Sequence, residues 1–95
     1  MKTVITLFLL LPLTANAVDV ETCLAAAPAA EKVMTLRQSG ASMAELIRVL
    51  EGNEFGIELV KRAFKEPHWN SEERKQRAIL DFTNDFTREC LEVAE

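Results

Sequence analysis

The residues of this chain best equipped for chemistry are two cysteines, Cys23 and Cys90, and a single histidine, His68, beside the single tryptophan, Trp69. A lone cysteine pair can supply a nucleophilic thiolate, part of a metal site or one disulfide. A thiolate nucleophile needs a base within reach, and no suitable residue types are arranged around His68 in sequence. Zinc wants three or four Cys, His or carboxylate ligands at metal spacing, and His68 has no such company. Three glycines leave no room for a phosphate-cradling loop. The expectation is a protein that is not an enzyme, with no catalytic, cofactor-binding or metal residues to assign.

Which use the cysteines serve depends on compartment, and the first residues address that. Lys2 gives a short positive start, Val4 to Leu13 is an almost unbroken apolar run, and Ala15, Asn16 and Ala17 form a small-x-small cleavage pattern. The apolar run is about half the roughly 20 residues that a bilayer-spanning helix needs, and Pro12 interrupts it. Residues 1–17 therefore read as a cleavable signal peptide and 18–95 as a single domain, periplasmic or secreted. A retained membrane anchor is the competing reading. No lipid-attachment pattern precedes Cys23. In an oxidising compartment the two cysteines have one possible pairing, Cys23–Cys90, which closes nearly the whole mature chain. Such a loop stabilises by on the order of 4 kcal/mol in the chain-entropy picture. Two buried thiols in a cytosolic chain is the alternative.

The formal charge of −4 becomes −5 when Lys2 is lost. That argues against nucleic acid or anionic membrane as a partner, since both need clustered positive charge.

The elements that must position these residues are helices. Apolar residues recur at three and four, and nothing alternates with period two. A first helix is expected over Asp19 to Ser39, with Cys23, Ala27, Ala30 and Met34 on one stripe flanked by Val33 and Leu36. Pro28 predicts either a kink or a helix that begins near it, and Gly40 fits a left-handed C-terminal cap. Ser42 to Glu45 is a capping box for a second helix, with Met43, Leu46, Ile47 and Leu50 inward and Gly52 at its end. Asn53 caps a third, whose inner face is Phe55, Leu59, Val60, Ala63 and Phe64; Gly56 weakens its start and Pro67 forbids its continuation. Asn70 or Ser71 caps a fourth that runs to about Val93, with Ile79, Phe82, Phe86, Cys90 and Val93 inward. Each cysteine lies on a core stripe, so the expected fold is all-α, a small four-helix bundle with its first and last helices joined by the disulfide.

Two surfaces are candidate contacts. In Pro67 to Asn70, Trp69 sits beside His68 in a turn where Lys61, Arg62, Lys65, Arg74, Lys75 and Arg77 collect. Large aromatics in loops anchor partners, which makes His68, Trp69 and Arg74 candidate contact residues. The structural reading is that Trp69 folds back over the end of the core with its indole N–H in water. Along the fourth helix Asp81, Asp85, Glu89 and Glu92 form an acidic stripe. It either pairs with Arg88 and with basic groups of the third helix or faces a basic partner.

Cys23, Arg37, Gly40, Ser42, Phe64, Pro67 and Cys90, behind a signal peptide, form a pattern that resembles the short two-cysteine helical proteins exported by Gram-negative bacteria and encoded by some of their phages. The resemblance implies a fold and a periplasmic address, and no activity. The expected function is binding to an envelope protein, as immunity proteins, enzyme inhibitors and phage lysis or exclusion factors do. The alternative is an acid-stress chaperone, in which fifteen carboxylates neutralised in acid loosen the core.

Overall fold

The computed structural model describes residues 18–94, and within them the chain forms four helices. The residues of the expected signal peptide lie outside that range. In chain order the helices are α1 (Val20–Gln38), α2 (Met43–Val49), α3 (Glu54–Ala63) and α4 (Glu72–Glu92), with no strand among the described residues.

Local chemistry sets each boundary. Asp19, Ser42, Asn53 and Ser71 each accept a backbone N–H from the first turn of the helix that follows, which satisfies one of the orphan donors there. At Ser42 the capping box is complete: the Glu45 amide donates to Ser42 Oγ at 3.1 Å and the Ser42 amide to Glu45 Oε1 at 2.9 Å. Between the two candidates for the α4 cap, Ser71 takes the role. α1 ends in a Schellman motif, with Gly40 at φ 100° and the Ala41 amide reaching back to Leu36 O at 3.0 Å. The same motif ends α2 on a less usual residue, Glu51, at φ 59°.

Pro28 neither starts nor breaks α1, which is one element from Val20 to Gln38. Pro28 is exposed and follows the half-exposed Leu24 by one turn. The Leu24 carbonyl that loses its amide partner is therefore on the side where water can replace it.

α1 packs against all three other helices and most extensively along α4. The shared core is Ala30, Val33 and Met34 of α1, Leu46 of α2, Leu59, Val60 and Ala63 of α3, and Ile79, Phe82 and Phe86 of α4. Each large aliphatic side chain fully buried here contributes about 1.5–3 kcal/mol. Cys23 and Cys90 are bonded, with their Cα atoms 5.7 Å apart across 67 residues of sequence. The disulfide links the start of α1 to the end of α4, as helical phase required.

Three expected core positions are exposed. Met43 is 41% exposed, Phe55 47% and Val93 66%. Met43 is the first residue of a seven-residue helix, too short to bury a four-position stripe. Phe55 sits on the core's rim, its ring edge-on to Phe86 at 5.9 Å between centroids. Val93 is the C-cap of α4, three residues past the disulfide and level with the first turn of α1, where nothing further packs. Gly56 has a more definite role than a weak helix start. A Cβ there would come within 2.7 Å of Leu50 Cβ, so glycine lets the end of α2 lie directly on the first turn of α3.

Candidate functional site

The turn between α3 and α4 carries His68 and Trp69, and one buried residue of α1 holds it. Gln38 is 1% exposed and is the polar member of an otherwise apolar interior. It continues the α1 core stripe four residues beyond Met34, so the helix aims its carboxamide at the turn. Gln38 Nε2 donates to the Pro67 carbonyl at 2.9 Å, and the Trp69 amide donates to Gln38 Oε1 at 2.9 Å. Gln38 Nε2 also lies 3.4 Å from Met34 Sδ. The Gln38 carbonyl takes a third contact, 3.1 Å from His68 Nε2, with the imidazole as donor because a carbonyl can only accept. One residue of α1 thus grips three consecutive residues of the turn.

Arg37 holds the segment just before it. Its guanidinium lies 4.4 Å from the Phe64 ring centroid, and Nη2 donates to the Glu66 carbonyl at 3.0 Å. Arg37 Nε is buried without a hydrogen-bond partner; the stacking on Phe64 offsets part of that cost. Other residues of the sequence pattern also have structural partners: Cys23 and Cys90 bond, Gly40 and Ser42 cap, and Arg37, Phe64 and Pro67 make the contacts that brace the turn.

Trp69 is half-buried. It lines two surface hollows. One, of about 310 Å³, is lined by Trp69, Ala78 and Phe82 with Arg74, Arg77, Asp81, Asp85 and Glu66 around them. The other, more open and about 580 Å³, is lined by Pro67, His68, Asn70 and Ser71, with Trp69 and Arg74 as its shared wall. The Arg74 guanidinium sits 5.2 Å from the Trp69 ring centroid. The three candidate contacts, His68, Trp69 and Arg74, are therefore brought together around one hollow, and two of them also line the deeper groove.

That groove joins surfaces which the sequence offers as alternatives. Arg74, Arg77, Asp81 and Asp85 follow one another at three, four and four, so α4 presents them as one stripe, basic at the turn and acidic further along. Asp85 is partly engaged, with Arg88 Nη1 3.0 Å away. Beyond the groove Arg62 of α3 meets Glu89 at 2.9 Å, and Arg88 also approaches Glu92 at 3.9 Å. Both expected pairings of the acidic stripe are therefore present. Among the described residues Arg74, Arg77, Asp81 and the Glu66 carboxylate have no ion-pair partner within 4.0 Å. All four pairs that do form are at least a third exposed, which limits each to at most about 1 kcal/mol.

What the sequence did not disclose was Gln38. The signal was available, since stepping the stripe Cys23, Ala27, Ala30, Met34 onward by four lands on it. A polar residue at a core phase is buried only when its hydrogen bonds are met, and the partners are supplied by a turn thirty residues away.

No family model, curated protein or solved structure matches this chain. Among the described residues no helix is long and apolar enough to cross a membrane, and no three His, Cys, Asp or Glu side chains lie close enough to hold a metal ion.

Proposed function

We propose that this chain is an exported, non-enzymatic helical protein that acts by occupying the surface of another protein, with Trp69 and the groove beside it as the contact. Immunity proteins, envelope-enzyme inhibitors and phage lysis or exclusion factors work in this manner. The observation that carries the reading is the grip of Gln38 on the turn. An aromatic anchor costs less to use when its backbone is already ordered, because little conformational entropy remains to be lost on binding. The setting also matches the anatomy of a binding hot spot: a large aromatic beside an unpaired arginine, over an apolar floor of Ala78 and Phe82. Export is supported by the disulfide, which persists in oxidising compartments, and by the small-x-small pattern ahead of Val18.

The test is photocrosslinking in the native envelope. A photoreactive residue at Asn70 or at Ala78 should give one discrete adduct, and the same residue at exposed Leu80 should not. Trp69→Ala should abolish the adduct without unfolding the protein. Equal labelling from Leu80, or an adduct indifferent to Trp69→Ala, would sink the reading.

A further inference from the structure

The groove is dipolar, and its polarity fixes the kind of segment that fits it. Arg74 and Arg77 occupy the first two turns of α4, and Asp81 and Asp85 the next two. The mean positions of the two pairs are separated by about 11 Å along the helix at 1.5 Å per residue. Between them lies the apolar floor of Ala78 and Phe82, walled by Trp69. Arg74 stacks on Trp69, which orients its guanidinium while leaving the in-plane N–H donors unused, the arrangement suited to a carboxylate. Asp81 has no cation of its own among the described residues, and Glu66 adds a second unpaired carboxylate to the lining.

From this we infer that the groove takes an extended peptide segment of a partner protein in which an apolar residue is flanked by an acidic residue on one side and a basic residue on the other. Charge complementarity sets which flank lies where: the acid meets Arg74 and Arg77, the base meets Asp81 and Asp85, and the apolar side chain lies on Trp69 and Phe82. In an extended chain alternate residues share a face at about 3.4 Å per residue. The matching pattern is therefore acid-x-apolar-x-base, read in either chain direction, whose charges span about 14 Å at the backbone and less at the flexible side-chain ends. A volume of about 310 Å³ holds one large side chain with its flanking contacts, and not a folded domain. This inference rests on the binding reading above and specifies the chemistry of the partner.

The test is selection of a displayed library of random linear peptides on the disulfide-bonded protein, repeated on two charge-reversed variants. One is Arg74→Glu with Arg77→Glu, the other Asp81→Lys with Asp85→Lys; all four positions are exposed. The wild type should enrich acid-x-apolar-x-base, in one chain direction or the other. The first variant should exchange the acid for a base, and the second the base for an acid. Each reversal should weaken the selected wild-type peptide about tenfold, the sum of an attraction lost and a repulsion gained. No enrichment, enrichment without charge order, or an order unchanged by the reversals would each overturn the inference. So would concentration-dependent dimerisation abolished by the same reversals, which would give the groove to a second copy of the chain. A Trp69-dependent crosslink without the peptide pattern would leave the binding reading standing and remove only this chemistry.

Discussion

The two ends of the α1–α4 pair are closed by opposite means. At one end a covalent bond, Cys23–Cys90, joins helices whose terminal residues Val20, Leu24, Leu91 and Val93 are substantially exposed. At the other a single buried amide, Gln38, holds a turn through hydrogen bonds to Pro67 and Trp69. The first end has little core to hold it and uses a link that needs none. The second is packed, and its link has a direction: it places Trp69 as well as closing the fold. A disulfide limits how far two chains can separate; a two-point hydrogen bond also sets which way a loop faces.

The largest effect expected is at the covalent end. Replacing both Cys23 and Cys90 by Ala should cost about 3–4 kcal/mol in chemical denaturation, most of it through the unfolded state. Small domains have a net stability of only about 5–15 kcal/mol, so the midpoint should fall far. A loss below about 1 kcal/mol would mean that the exposed end is held by packing after all.

Next is the polar end. Gln38→Leu keeps the volume but leaves the Pro67 carbonyl and the Trp69 amide unpaired, at an expected cost of about 2–3 kcal/mol. The distinguishing readout is amide exchange: Trp69 should lose its protection while the amides beside Cys23 keep theirs. Uniform loss at both ends would show that the two closures are one cooperative unit.

Much of this architecture was legible in the chain. Ser42, Asn53 and the Asn70–Ser71 pair announce three helix starts because capping is local chemistry. The disulfide followed from two cysteines sharing a core phase. What stayed hidden depended on contact between distant segments. Gln38 has a core phase, but its burial depends on Pro67 and Trp69 being brought to it. Phe55 and Met43 have the right phase for burial, but Phe55 lies at the core's rim and Met43 is the first residue of a seven-residue helix. The candidate site was half legible: Trp69 and its basic rim were visible as one surface and Asp81 and Asp85 as another. Only folding shows that they line a single groove.

Between the two ends, the α2–α3 corner uses neither device, and it gives a test with an unusual sign. Gly→Ala inside a helix ordinarily stabilises by about 1 kcal/mol. At Gly56 the added Cβ would meet Leu50 Cβ at 2.7 Å and its Cδ1 at 3.1 Å, so Gly56→Ala should instead cost about 1–2 kcal/mol. In a Leu50→Gly background both of those Leu50 atoms are gone and the cost should shrink. A stabilising Gly56→Ala in the wild type would mean that α2 can draw away from α3 freely.

The smallest effect separates the helix caps from both closures by pH. The Thr22 amide bonded to Asp19, and the Ser42 amide bonded to Glu45, hold both carboxyls below their ordinary values. A carboxyl whose value is lower folded than unfolded stabilises fully above its unfolded value, and that contribution is lost as pH falls through the folded one. Acid should therefore release the first turns of α1 and α2. The disulfide does not titrate, and the Gln38 amide carries no charge to lose. Amide exchange followed down through the carboxylate range should show Thr22 and Ser42 losing protection first and Trp69 keeping it. The acid-chaperone alternative requires the reverse, a core that opens and binds apolar dye in the same pH interval. If Trp69 loses protection together with Ser42 and dye binding rises, the rigid turn is not the working part of the protein, and its acid-loosened core is.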